Sequence, residues 1–391
     1  MDFRIKFSGK AHDYTQEEID TVVYAMKTAE PYTQGAYQKA FEQKFCDYVG
    51  ANHAFAVNNA TAALELAAQL CQFQLGDEVI IPSHTFTSSA YPFAKKGAKI
   101  IWADIDLQTR VVTVDTLAKK ITPKTRAIVV VHLYGYAADM PAIVNLAKQH
   151  NILLIEDAAQ SMGTSVDGKK TGTFGDISIF SLHSHKNITT LGEGGVLVVK
   201  APGVASIIPL LRHNGHCPFP FERENYWLPA MGNVDFPELN EQILWPNNYC
   251  LGEVECALGA KLLERLDQMN REKRNRALYF MDTLRQYGAL EFHRVDSDRH
   301  NYHLLVARVI NGRRDEIIKS LAYEKGIQCV VQYYPLNRYP FYQKLGFGEA
   351  DCPYTDLFFD NMISFPFHHW MSNHDFEYML QSTQEVLEQL S

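Results

Sequence analysis

Residues 153–199 read LLIEDAAQSMGTSVDGKKTGTFGDISIFSLHSHKNITTLGEGGVLVV, and they contain three short apolar runs, at 153–157, 177–181 and 196–199. Runs that are apolar at nearly every position are typical of strands buried on both faces, as in a parallel sheet. Each run is followed by polar or glycine-rich residues, which predict turns. This stretch therefore predicts three strands of one buried sheet.

The same pattern extends towards the amino terminus. Between the runs, apolar residues recur at i, i+3 and i+4, which predicts helices at 61–72 and 140–150, and two more helices precede the sheet. Alternating strands and helices predict an α/β fold with a mostly parallel, seven-stranded sheet. The additional predicted strands are 54–57, 79–82, 99–103 and 127–132, and the two preceding helices are 15–28 and 37–48.

The composition of the chain changes after this sheet. Residues 1–250 are predicted to form the large α/β domain, with an irregular excursion at 215–246 that is rich in Pro, Asn, Phe and Trp. Residues 251–391 mix helical and strand patterns, which predicts a smaller C-terminal α+β domain. Its predicted elements are helices at 252–287, 314–326 and 373–390 and a strand at 328–333.

Charge and cysteine content exclude several classes of protein. The 391 residues include 37 Lys and Arg against 45 Asp and Glu, a net charge of −8, which argues against a nucleic-acid partner. The charged start has no apolar signal segment, and no apolar run approaches the roughly 20 residues that span a membrane. Seven widely spaced cysteines without a CxxC pair predict reduced thiols. We therefore expect a cytoplasmic protein with no membrane partner.

In an open parallel sheet, ligands bind beyond the carboxyl ends of the strands. The first strand is followed by Asn59, Ala60, Thr61 and Ala62, where a helix begins, and exposed N–H groups there can hold a phosphate. A plain helix cap is the simpler interpretation of these residues. Phe86, after the second strand, either stacks on a flat ligand or packs in the core.

Two other strand ends carry charged residues. Asp157 closes an apolar strand, so it needs a cation such as a pyridinium nitrogen, a metal, or N–H donors such as those at a helix start. Lys186 follows the next strand beside a glycine-rich turn, where desolvation would lower its pKa and allow it to form a Schiff base; a surface lysine is the alternative. His183 and His185 have no third ligand at regular spacing, so no metal site is predicted. Together, the four strand ends match the parts of a pyridoxal 5′-phosphate (PLP) site.

The motifs at these positions resemble those of the DegT/DnrJ/StrS family of PLP-dependent sugar aminotransferases. The resemblance covers nearly the whole chain and implies the PLP-dependent transferase fold of type I. The matching segments are NNATAALELA, GDEVIIPSHTFTSSA, AIVVVHLYGYAADM, LLIEDAAQSMG, GDISIFSLHSHKNITTLGEGGVLV and ISFPFHHWMS.

The resemblance assigns roles to individual residues. Lys186 would bind PLP covalently, Asp157 would pair with the pyridine N–H, Gln160 would reach the phenolic oxygen and Phe86 would stack on the ring. The phosphate would be held by Thr61, Ala62, Ser181 and, from the neighbouring subunit, Asn248, which implies a homodimer with shared active sites. Substrate contacts are expected from His183, His185 and Tyr333.

The implied reaction moves an amino group, usually from glutamate, to a keto-sugar for surface polysaccharide or lipopolysaccharide. The acceptor is either a nucleotide-linked keto-deoxysugar or an 8-oxo-3,8-dideoxy-octulosonate, which the altered motif around Gln332 and Asn337 favours. The cations expected to meet an acidic acceptor are Arg212, His213, Arg338, His183 and His185. Two alternatives are a PLP-dependent sugar dehydratase, whose relatives replace the lysine by histidine, and a PLP-binding regulatory protein.

Overall fold

The computed structural model describes residues 2–8, 10, 12–219, 232–294 and 299–390. Among these residues, no helix is both long enough and apolar enough to span a membrane. The strands are β1 (Ala54–Val57), β2 (Glu78–Pro82), β3 (Lys99–Ala103), β4 (Thr125–Val131), β5 (Leu153–Asp157), β6 (Ser165–Val166), β7 (Lys169–Lys170), β8 (Ile177–Ser181), β9 (Gly195–Val199), β10 (His216–Cys217), β11 (Asn233–Val234), β12 (Glu238–Leu239), β13 (Gln242–Ile243), β14 (Leu290–Glu291), β15 (Leu305–Val309) and β16 (Met362–Phe365). The α-helices are α1 (Gln16–Thr28), α2 (Ala36–Val49), α3 (Ala60–Leu70), α4 (Tyr91–Lys95), α5 (Val114–Ala118), α6 (Met140–Gln149), α7 (Pro202–Arg212), α8 (Glu253–Leu262), α9 (Leu266–Leu284), α10 (Arg314–Tyr323), α11 (Pro340–Lys344), α12 (Pro353–Asn361) and α13 (Asn373–Gln389).

The main sheet has seven strands in the order β1-β9-β8-β5-β4-β2-β3. Strands β8, β5, β4, β2 and β3 run parallel to one another, whereas β9 is antiparallel to both β1 and β8. Strands β2, β8 and β9 are buried at every position, because helices cover both faces of the sheet. The predicted α/β class and the seven-stranded, mostly parallel sheet are confirmed.

Parallel connections place the carboxyl ends of β8, β5, β4 and β2 at one edge of the sheet. The residues that follow these strands, predicted above as site candidates, therefore meet above that edge. Thr15 caps α1 with a capping box formed with Glu18, so this helix begins where the sequence predicts.

The predicted helix at 252–287 is two helices, α8 and α9, with a break between residues 262 and 266. Helix α8 packs against α2 across the predicted domain boundary at residue 250, in an apolar cluster that includes Phe41, Phe45, Cys256 and Leu258. The division into domains 1–250 and 251–391 remains a prediction. Within the predicted excursion at 215–246, the described residues form only two-residue strands, and 220–231 lie outside the described residues.

The predicted strand at 328–333 is wrong. The C-terminal antiparallel sheet has the order β14-β15-β16, and residue Val330 joins it only through an isolated bridge to Ser364. Beyond this bridge, the Gln332 N–H donates to the Met362 sulfur and the Gln332 carbonyl accepts from the Tyr134 hydroxyl. These contacts turn the segment towards the main sheet, where it lines the cavity described below.

A buried carboxylate fixes the loop that leads into β8. Glu156 accepts hydrogen bonds from His132 Nε2 at 3.0 Å and from the N–H groups of Gly172, Phe174 and Gly175 at 2.6–2.7 Å. Burial raises the pKa of Glu156, but the His132 contact and the N–H donors outweigh it and hold the pKa below its ordinary value. Glu156 therefore has a structural role, although it is next to Asp157.

Replacing Glu156 by Ala is expected to lower the free energy of unfolding by about 3–5 kcal/mol, because three N–H groups and an imidazole lose a fully buried partner. Urea denaturation followed by circular dichroism measures this change. Glu316→Ala, which removes an exposed partner of Arg313, is the control and should change stability little. A Glu156→Ala protein as stable as this control would contradict the assignment.

Candidate active site

A cavity of about 680 Å³ lies above the carboxyl edge of the main sheet. Its walls come from the loops after β1, β2, β5 and β8, from α9 and from the segments around residues 303, 333 and 367. Nine predicted site residues line it: Thr61, Phe86, Asp157, Gln160, Ser181, His183, His185, Lys186 and Tyr333. The sequence therefore locates most of one concave site that no single segment forms alone.

Asp157 ends β5 and is buried. Its Oδ2 accepts a hydrogen bond from Ser89 Oγ at 2.7 Å, and its Oδ1 accepts one from the Ala159 N–H at 3.1 Å. Because each carboxylate oxygen has two lone pairs, both retain acceptor capacity towards the cavity. The carboxylate is therefore held in a fixed orientation and can still pair with a cationic N–H group.

Lys186 lies five residues after the end of β8, in a turn fixed by a hydrogen bond from its N–H to the His183 carbonyl at 2.8 Å. Desolvation lowers the pKa of the Lys186 amine to about 8, although the nearby Asp157 carboxylate acts in the opposite direction. A lysine with a lowered pKa is more readily present as the nucleophilic free amine. Lys186 is therefore not the plain surface lysine that the sequence allows as an alternative.

The start of α3 forms another part of the cavity wall. Asn59 caps this helix, with Oδ1 accepting from the Ala62 N–H at 2.8 Å. Helix geometry leaves the N–H groups of Ala60 and Thr61 without intrahelical partners, and the Thr61 hydroxyl donates to Ser88 Oγ at 3.0 Å. Residue 195 approaches this turn so closely that a Cβ there would lie 2.6 Å from the Ala60 nitrogen, which explains the glycine. Ala62, predicted to bind phosphate, thus uses its N–H in the cap and does not line the cavity.

Gln160 connects the sheet to the C-terminal part of the chain. Its Oε1 accepts from the Tyr134 N–H at 2.7 Å and its Nε2 donates to the Tyr333 hydroxyl at 3.0 Å. The ring of Phe86 meets Tyr333 edge to face at 6.2 Å and remains 53% exposed at the cavity. Phe86 is therefore not a core residue, and its face is available for stacking.

The two predicted histidines stack on each other beside Lys186, with ring centroids 5.0 Å apart. His183 Nε2 also lies 3.7 Å from Glu193 Oε1, and Ser181 Oγ accepts from the His183 N–H at 3.3 Å. The part of the chain that the structure describes holds no group of three or more His, Cys, Asp or Glu side chains placed to bind a metal.

Two of the cations suggested for an acidic acceptor are used elsewhere, and we correct both. Arg212 is buried in an ion pair with Glu42 and also donates to the Ala56 carbonyl. Arg338 pairs with Asp356 and Asp360. His213, whose ring meets that of His216 at a tilt with centroids 4.6 Å apart, does not line the cavity either. Neither arginine has an acidic neighbour in sequence, and each pairs with an acid that lies further away along the chain.

Asn248 also lies outside this cavity. It is exposed, and its backbone forms an isolated bridge to His213. Large exposed apolar side chains, Ile243 and Trp245, precede it by only a few residues. Asn248 therefore does not contribute to the cavity of its own chain.

The sequence reading missed Lys273, His303 and His368, which line the wall formed by α9 and the C-terminal segments. Lys273 falls within a helical stretch that is rich in charged residues. A signal was present, because Lys273 lies in register with the buried positions Met269, Ala277 and Phe280. A lysine at an apolar position of an amphipathic helix indicates a buried amine.

The described residues fit PLP by the chemistry of their side chains. A nucleophilic amine, an oriented carboxylate, a helix start with unpaired N–H groups and an exposed aromatic face line one cavity. Lys186 would hold the carbonyl carbon of the cofactor, Asp157 its pyridine nitrogen and the start of α3 its phosphate.

The sequence matches the DegT/DnrJ/EryC1/StrS aminotransferase family over residues 13–384. GDP-perosamine synthase of Caulobacter vibrioides is 31% identical over 387 residues, covering 98% of this chain and 96% of the relative. UDP-4-amino-4,6-dideoxy-N-acetyl-beta-L-altrosamine transaminase of Campylobacter jejuni is 32% identical over 385 residues, covering 96% of each chain. The fold is similar to that of the putative sugar aminotransferase Spr1654 from Streptococcus pneumoniae in its PMP form, with a TM-score of 0.85, 25% identity and coverage of 98% and 99% of the two chains. The family and fold predicted from the sequence motifs are confirmed.

Proposed function

Because the chain belongs to the DegT/DnrJ/EryC1/StrS family of PLP-dependent aminotransferases, we propose that it transfers an amino group from glutamate to the keto group of a sugar. The observation that carries this proposal is the desolvated Lys186 amine in the same cavity as the oriented Asp157 carboxylate. When bound, PLP supplies an electron sink for negative charge at the carbon that carries the amine.

The residues of the chain then have separate roles. Lys186 would hold the carbonyl carbon of the cofactor, and its free amine would be the base that moves a proton at the α-carbon of the amino donor. Asp157, oriented by Ser89, keeps the pyridine nitrogen protonated. Gln160 would contact the phenolic oxygen and Phe86 would cover the ring. The lysine at position 186 favours transamination over the dehydratase reaction, whose relatives have histidine there.

The acceptor belongs to one of two classes. The names of the relatives from Caulobacter and Campylobacter contain GDP and UDP, which supports a nucleotide-linked keto-deoxysugar. The alternative is an octulosonate-type sugar acid for lipopolysaccharide, supported by the amine of Lys273 and the imidazoles of His183 and His185, which line the cavity and can donate hydrogen bonds to a carboxylate. In either case we propose a cytoplasmic enzyme of amino-sugar synthesis.

The reaction is tested in two stages. The holoenzyme is mixed with glutamate, and the change in its visible spectrum and the release of 2-oxoglutarate are measured. The glutamate-treated protein is then supplied with GDP-linked or UDP-linked 4-keto-6-deoxysugars or with 8-oxo-3,8-dideoxy-octulosonate, and the aminated product is detected by mass spectrometry. One equivalent of 2-oxoglutarate per subunit supports the proposal; no spectral change and no oxoacid would refute it.

We propose that Asn248 completes the phosphate site of a partner subunit in a homodimer. Its exposure outside its own cavity and the exposed Ile243 and Trp245 nearby support this arrangement. Asn248→Ala is expected to weaken PLP binding about tenfold, through loss of one hydrogen bond to a charged group.

Mixed dimers test whether the site is shared. Lys186→Ala and Asn248→Ala subunits are unfolded together, refolded and assayed at a PLP concentration that leaves the Asn248 variant largely unloaded. A shared site predicts recovery of about a quarter of native activity, because half of the dimers are hybrids and each hybrid has one intact site. No recovery, or a monomeric protein, would contradict the proposal.

A further inference from the structure

A second lysine amine is buried in the wall of the cavity. Lys273, on α9, is only 5% exposed, and its Nζ donates to the His303 carbonyl at 3.0 Å and to Asn187 Oδ1 at 3.1 Å. A lysine ammonium has three N–H donors. These two contacts therefore leave one donor, on a side chain that lines the cavity.

Lys273 differs from the other buried cations of the protein. The buried guanidinium groups of Arg110 and Arg212 each pair with a glutamate. None of the ion pairs among the described residues includes Lys273, and both of its oxygen partners are uncharged. A buried charge without a counter-ion is costly, which makes this amine a site for a ligand that brings the negative charge.

The groups that face Lys273 do not supply that charge. His303 is buried and His368 is half-buried at this wall of the cavity. Burial together with neighbouring cations lowers the pKa of each, that of His368 to about 4, so both imidazoles are neutral at pH 7. The ring of Phe367 lies 5.2 Å from Nζ. Desolvation lowers the pKa of Lys273 itself to about 7, a shift that a bound anion would reverse.

We propose that Lys273 forms a subsite that binds a substrate carboxylate by a charge-assisted hydrogen bond from its third N–H. This proposal rests on the proposed function, because it concerns the substrates of that reaction. The carboxylate comes either from the amino-acid donor or from a keto-sugar acid, since both substrates of a two-stage transfer enter the same cavity.

Binding of unreactive carboxylates to the PLP-loaded protein tests this subsite without relying on turnover. The two probes are glutarate, which has the carboxylates of the donor without its amine, and 3-deoxy-octulosonate, a sugar acid without the keto group at C8. Their Kd values are measured by isothermal titration calorimetry for the native protein, for Lys273→Met and for Lys273→Arg. Lys96→Met is the matched control, because Lys96 is half-buried and bonds only an amide oxygen outside the cavity.

We expect Lys273→Met to weaken at least one probe about tenfold or more, while Lys96→Met leaves it unchanged and Lys273→Arg retains most of the affinity. Loss of glutarate binding assigns the subsite to the donor, and loss of octulosonate binding assigns it to the acceptor. If Lys273→Met does not fold, the affinities of the native protein for charged and neutral probes are compared instead. The native protein should bind the two carboxylates at least tenfold more tightly than it binds glutaramide and the amide of the sugar acid.

Equal affinity of native protein and Lys273→Met, or no binding of either carboxylate to the native holoenzyme, would overturn the subsite. Failure of the proposed function appears separately, as absence of 2-oxoglutarate release in the glutamate assay. The two results are independent, because neither probe can donate or accept an amino group at the reacting position.

Discussion

The Lys186→Ala protein is expected to lose turnover by at least about 10⁴-fold, since proton transfer by one positioned base alone contributes 10²–10⁴-fold and covalent attachment of PLP is lost as well. The effect is large because, among the described residues, the only other lysine lining the cavity is Lys273, whose Nζ is already bound to His303 and Asn187. The measurement is kcat for glutamate-dependent amination of the sugar that the acceptor screen identifies.

Two comparisons separate this catalytic role from a structural one. Lys200→Ala removes another partly buried lysine, which bonds the Phe174 carbonyl away from the cavity, and should keep native turnover. Added methylamine should restore part of the Lys186→Ala activity, because a small amine can enter the vacated space and carry the proton. Undiminished turnover in Lys186→Ala would exclude the proposed role.

The Asp157→Asn protein is expected to have a kcat about 10²–10³-fold lower, the usual cost of removing one charged group that stabilises a transition state. Asparagine retains the shape of the side chain and one oxygen for Ser89 or Ala159, so the fold should not change. Its neutral amide cannot hold a proton on the pyridine nitrogen, and the electron sink is weakened.

Ser89→Ala is the matched variant for Asp157→Asn. It leaves the carboxylate in place and removes one of the two hydrogen bonds that orient it, so we expect a loss of tenfold or less. Pre-steady-state measurement of the glutamate half-reaction separates this effect from product release. An Asp157→Asn rate within a few-fold of native would show that the carboxylate does not act on the cofactor.

The sheet was predictable because its strands are buried on both faces. Strands β1, β3, β5 and β8 begin and end at the residues that their apolar runs predict. Segments whose structure depends on distant partners were not predictable. The 328–333 run has strand composition but only one bridge, because contacts to Met362 and Tyr134 direct it into the cavity wall.

The site residues also divide into those that the sequence predicts and those that depend on distant packing. Asp157 ends β5 and Lys186 follows β8, so sheet topology alone brings them to one edge. Lys273 reaches the cavity from α9, nearly ninety residues further along the chain, and only the packing of that helix on the loops after β8 gives it a role. Arg212 and Arg338 were wrong as substrate-binding candidates because each pairs with an acid that the local sequence does not reveal. Arg212 pairs with Glu42, and Arg338 pairs with Asp356.

The central claim, that Lys186 carries the cofactor and gives it up to the amino donor, is tested by reducing the PLP-loaded protein with borohydride and mapping its peptides by mass spectrometry. The account predicts one phosphopyridoxyl group on Lys186, and its loss when glutamate is added before the reductant. Label on Lys273 or any other lysine, or label on Lys186 that glutamate does not remove, would contradict it.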